Sequence, residues 1–260
     1  MSYRIQNLFD NDDVEIVEQL GAFSVLQWKR DLSVNRESAL SEYFAAKMNV
    51  HRRQVVVNMA ELAKHQLGCT VQAGAMQWMA GDVRSETGIK GAGDFFGKMV
   101  GGAVSGEGAI KPLYTGTGTL MLEPTYKYLL LLDINDWNGS LVLDDGLFLA
   151  SYSSLKHRIV RRSNLSSAVG GGEGLFNLSL SGQYGVVAIE SPVPREELIE
   201  IHLDNDQIKI DGNMALAWSS SLEFTVERSG KSLVGSAASG EGLVNVYRGT
   251  GKIIMAPTQL

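Results

Sequence analysis

The tripeptide Gly-Glu-Gly occurs three times, at Gly106-Glu107-Gly108, Gly172-Glu173-Gly174 and Gly240-Glu241-Gly242, with its glutamates 66 and 68 residues apart. A near-constant period of this size marks a duplicated structural unit and narrows the folds open to a 260-residue chain. The flanks repeat the same order of signals. After each copy comes an apolar or alternating run, a glycine pair, a second apolar run and a proline. The glycine pairs are Gly116 and Gly118, Gly182 and Gly185, and Gly249 and Gly251; the prolines are Pro124, Pro192 and Pro257. This order reads as a hairpin: strand, glycine turn, strand, stop.

Upstream the correspondence continues. First strands are expected at Val55-Val56-Val57, at Leu129 to Leu132, and around Ile199 and Ile201, each followed by a polar turn. Second strands follow around Val71, Leu141 to Leu143, and Ile208 and Ile210. Third strands follow the turn glycines Gly74, Gly146 and Gly212. Glu223, Thr225 and Glu227 alternate with Leu222, Phe224 and Val226, the period-two pattern of a half-buried strand. The spacing therefore predicts an all-β fold of three tandem sandwich- or barrel-like repeats, at 54–124, 126–192 and 198–257, forming one continuous domain. The first repeat carries a glycine-rich apolar insertion at 90–102. Residues 1–50 form an extension in which Leu40, Tyr43, Phe44 and Met48 fall at helical spacing, one helix to pack on the β body or on a neighbour. Twenty-nine glycines exceed the roughly 7% of ordinary proteins, in keeping with many tight turns.

A net charge of −6 opposes non-specific attraction to nucleic acid or anionic membrane. The single cysteine, Cys69, cannot form an intramolecular disulfide and reads as a small buried hydrophobe. Met1-Ser2-Tyr3-Arg4 leads into Asn and Asp residues, not into an apolar signal core, so a cytoplasmic protein, at most peripheral to a membrane, is expected.

Gln72-Ala73-Gly74-Ala75-Met76-Gln77-Trp78-Met79, Asp211-Gly212-Asn213-Met214-Ala215 and Ser236 to Val244 resemble motifs of the altered-inheritance-of-mitochondria family of bacterial and mitochondrial proteins. The likeness covers Gln54 to Pro257. It implies a fold similar to the tryptophan RNA-binding attenuation protein and assembly of the chain as a homo-oligomer, a trimer. It supplies no catalytic or ligand residue.

Glu107, Glu173 and Glu241 could ring a pseudo-symmetric axis and meet a cation or a partner's arginine; the plainer reading is a turn in which they accept backbone hydrogen bonds. Gly91 to Lys98 fails the phosphate-loop pattern, because Ala92 and Met99 stand where glycine and Ser or Thr are needed. Phe95, Phe96, Met99 and Val100 in the 91–102 loop could touch a partner or a membrane surface, or fill a core. Arg52 and Arg53 could touch phosphate or RNA, although nucleic acid is disfavoured as a partner by charge. The four histidines show no metal-ligand spacing, and neither a metal nor any other cofactor is expected. With no catalytic constellation, the residues point to a non-enzymatic oligomeric β scaffold or binding protein. A membrane organiser using loop 91–102 and an RNA binder are the alternatives.

Overall fold

A computed structural model describes residues 3–30, 35–86, 111–161, 176–228 and 243–258. The extension contributes β1 (Val14–Leu20), β2 (Phe23–Trp28) and the helix α1 (Ala39–Lys47). Next come β3 (Arg52–Asn58), the helix α2 (Met59–Lys64), β4 (Cys69–Val71), β5 (Met76–Glu86) and β6 (Leu113–Leu122). The middle segment holds β7 (Tyr128–Asp133), β8 (Ser140–Leu143), β9 (Phe148–Tyr152), β10 (Lys156–Arg161), β11 (Phe176–Ser181) and β12 (Val186–Ser191). The last holds β13 (Ile199–Asp211), β14 (Ala215–Ser219), β15 (Glu223–Arg228) and β16 (Leu243–Met255). The fold is all-β.

Two sheets account for these strands among the described residues. A nine-stranded sheet runs β1-β2-β3-β6-β4-β9-β12-β7 with β5 beside β6, and curls until β1 approaches β7. A seven-stranded sheet runs β10-β11-β8-β14-β16-β13 with β15 beside β16. The unbroken run Leu129 to Leu132 explains how they pack. Successive strand residues point to opposite faces. Leu129 and Leu131 enter the core inside the curled sheet with Phe23, Val55 and Tyr152. Leu130 and Leu132 enter the core between the sheets with Trp137, Leu141 and Ile254. β7 is covered on both faces, so its apolar residues do not alternate with polar ones.

The glycine pairs correct one expectation. β6 and β16 continue through theirs as single strands, and β11 and β12 lie in different sheets and do not pair with each other. These are corners, not hairpins. In the middle segment a Cβ on Gly182 or Gly185 would sit 2.8 Å from the Leu155 side chain, so glycine is there to let a buried leucine fill the bend. The true hairpin-like pairs are β5·β6, β10·β11 and β15·β16, ending at Glu86↔Leu113, Arg161↔Phe176 and Arg228↔Leu243.

The extension is richer than a helix. β1 and β2 form a hairpin that joins the curled sheet through β2 and β3, with Val25 opposite Val55. The helix forms where the spacing predicts it, yet it buries none of its residues within the chain. Leu40, Tyr43, Phe44 and Met48 are all exposed. One tie is a hydrogen bond from the Tyr126 hydroxyl to the Glu42 carboxylate (2.9 Å). The turn expected after β3 is instead α2, whose Asn58 side chain caps Glu61 N–H (3.3 Å) while Met59 and Leu62 are buried. No helix among the described residues is long and apolar enough to cross a membrane.

Candidate functional site: the open seam of the curled sheet

β1 and β7 face each other without a ladder of backbone hydrogen bonds. Side chains stand in for one. Leu131 N–H donates to Glu18 Oε1 (3.3 Å), and Arg195 Nη2 donates both to Glu18 Oε1 (2.6 Å) and to the Leu131 carbonyl (2.8 Å). The Glu18–Arg195 pair thus offers β7 an acceptor and a donor, as a neighbouring strand would. A bulge at Val17 bends β1 away at the same level.

Beside this pair the seam opens into a cleft of about 660 Å³, with Val17, Arg53, Tyr128, Leu129 and Glu196 among its walls. Arg53 dominates its chemistry. It is only 6% exposed, yet no carboxylate pairs with it among the described residues. Its guanidinium lies 4.2 Å from the Tyr128 ring centroid and donates through Nη1 to the His51 carbonyl (3.1 Å). Burial lowers its pKa and the Tyr128 contact opposes that shift; arginine remains a cation.

The pleat separates the two arginines that the sequence sets side by side. Arg52 points away from Arg53 and stacks 5.0 Å over Trp28. There it lines a second, smaller cleft of about 320 Å³ with Tyr43, His51 and Tyr126. The two arginines therefore line different clefts and do not form one joint patch. Glu107, Glu173, Glu241, Phe95, Phe96, Met99 and Val100 lie outside the described residues.

One further juxtaposition was not foreseen. Ser151 Oγ lies 2.9 Å from His157 Nε2, the spacing of a nucleophile and its base. Ser151 is fully buried, the His157 ring packs edge-on against Phe148 (5.1 Å), and neither residue opens into a cleft named above. The pair serves the core. Burial, helped by Lys111, pushes the imidazole down from 6.5 to about 4, so it is neutral in the fold. Below 6.5 the unfolded chain binds a proton that the folded one refuses. Stability is therefore complete above that pH and is lost as pH falls toward 4, by about 3 kcal/mol at most. Denaturation midpoints across this window check it; His157→Gln should flatten the slope. Cys69 is wholly buried, and burial pushes its thiol up, so it is no nucleophile at neutral pH.

A curled sheet packed on a second one, with an unclosed seam at its surface, defines an all-β protein with a strand-edge cleft. Residues 49–258 match the mitochondrial biogenesis AIM24 family, and the chain belongs to it. An uncharacterised protein of Streptococcus pyogenes serotype M6 is 29% identical over 198 residues, which span 73% of this chain and 77% of that protein. The crystal structure of the Streptococcus pyogenes protein SPYM3_0169 aligns with a TM-score of 0.58 at 25% identity, over 81% of this chain and 89% of its own.

Proposed function

We propose that the protein is a non-catalytic β scaffold that assembles with copies of itself through its unpaired strand edges. One observation carries this reading. β4 of the first segment pairs with β9 of the second, Thr70 opposite Ser151. β8 of the second pairs with β14 of the third in the same manner, Val142 opposite Trp218. The flanking bonds match as well: Gln72 N–H to the Leu149 carbonyl (2.8 Å) and Asp144 N–H to the Leu216 carbonyl (3.0 Å). Each junction joins the second strand of one segment to the third strand of the next.

Continuing that step leaves two edges over. The second-strand place of the last segment belongs to Asp206–Asp211 of β13, which bends after Leu203 and pairs with β16 alone. The third-strand place of the first segment belongs to Met76–Gly81 of β5, which pairs with β6 alone. Carried between copies, the same register sets Ile208 opposite Ala80, Lys209 opposite Met79 and Ile210 opposite Trp78. Such a head-to-tail contact closes into a ring or runs on as a filament. A trimer is the closed form that the family resemblance implies.

Light scattering behind size exclusion tests this, with a mass near three times 28.2 kDa expected. At Lys209 the backbone N–H faces the open edge, so Lys209→Pro removes no bond to β16 and should give folded monomers. A wild-type monomer at tens of micromolar, or an unchanged assembly of Lys209→Pro, overturns the proposal.

A further inference from the structure

We propose that the seam cleft binds an extended peptide segment bearing a single carboxylate, which lies along β7 and pairs its carboxylate with Arg53. The first ground is backbone parity. Leu131 turns its N–H and C=O to the seam, where Glu18 and Arg195 receive them. Residues two apart in a strand turn the same way. The N–H and C=O of Leu129 therefore face the same gap, and no hydrogen bond among the described residues meets them there. An open backbone N–H and C=O beside an aliphatic wall give a strand-adding peptide its first pair of hydrogen bonds.

The second ground is independent of the first. Arg53 is more than nine-tenths buried, lines the cleft and lacks a counter-ion among the described residues. A guanidinium withdrawn from water is costly unless an anion answers it, and its planar fork fits a carboxylate through two parallel bonds. Glu18 is not that anion among the described residues: its ion pair is with Arg195, and its Oε1 also accepts from Leu131 N–H. The lip of the cleft selects further. Glu196 and Glu197 stand on it, so a run of acidic residues is repelled while one carboxylate reaching Arg53 is not. A volume of about 660 Å³ accommodates a few residues of extended chain.

The test uses three pools of acetylated hexapeptides, random at five positions, passed over immobilised full-length protein. One pool ends in a Glu amide, one in a Gln amide, and one in Gln with a free C-terminal carboxylate. At least one carboxylate pool should be retained tenfold or more above the Gln amide pool, and which one tells a side-chain from a terminal carboxylate. Arg53→Gln should abolish the difference. Because that position is buried, Val17→Glu is the companion variant. Val17 is half-exposed on the cleft wall, and a carboxylate there competes for Arg53 from within. Equal retention of the three pools by wild type, or retention by a folded Val17→Glu equal to wild type, overturns the proposal.

Discussion

Gly116→Ala should cost about 3–5 kcal/mol, a large share of the ~5–15 kcal/mol that holds a typical domain folded. Two effects combine. Gly116 has φ +101°, a region that side chains with a Cβ avoid. It also sits opposite Val83 in the β5·β6 ladder, where a Cβ would run into the Asp82 carbonyl oxygen. That oxygen belongs to the backbone of a paired strand and cannot swing aside. Gly146→Ala is the control. Its φ is +76° but a Cβ there meets nothing within 4 Å, so only the backbone term, about 1 kcal/mol, should appear. Urea denaturation of the two variants separates steric collision from conformational preference. Equal losses would mean that the close approach of β5 to β6 is not what demands glycine.

The second large effect is expected at Tyr152, which joins the N-terminal hairpin to the middle segment. The ring is 1% exposed and meets Phe23 edge-on at 5.2 Å and Tyr184 at 5.7 Å. Its hydroxyl accepts a hydrogen bond from Ala22 N–H at 2.6 Å. Burial pushes the phenol up to about 12, so it is neutral at physiological pH. Tyr152→Ala empties a large buried site and should cost about 3–5 kcal/mol. Tyr152→Phe keeps the ring and strands the Ala22 N–H, at about 1–3 kcal/mol. Hydrogen exchange gives the sharper readout. In the Phe variant, protection should fall at Ala22 and Phe23 and hold along β7 and β12. A uniform loss across the sheet would show that the hydroxyl does not specifically pin the hairpin.

Most strands were readable because burial on one or both faces leaves a periodic trace in the chain. Leu222 to Val226 alternates because one face is wet; Leu129 to Leu132 does not because neither is. The glycine pairs read as hairpin turns in the sequence, since a corner that lets Leu155 or Leu222 fill a bend uses the same residue type. The β1–β2 hairpin carried a signal that went unused: two apolar-rich runs flanking Gly21-Ala22, with Gly21 at φ +56°. The seam had no local signature at all. Glu18 and Arg195 are 177 residues apart, and nothing in either neighbourhood foretells that the two would substitute for a strand. Arg52 and Arg53 read as a pair in the sequence, but strand parity sends neighbours to opposite faces. Arg53 matters because its partner in the sequence is absent from its surroundings.

The N-terminal hairpin has a consequence for counting. It lies against β3, while among the described residues β7 and β13 have no corresponding ribbon hydrogen-bonded to their own outer margins. Among the described residues, therefore, one such recess arises per polypeptide, whatever the number of copies in an assembly. A titration should therefore saturate at one equivalent per chain rather than three.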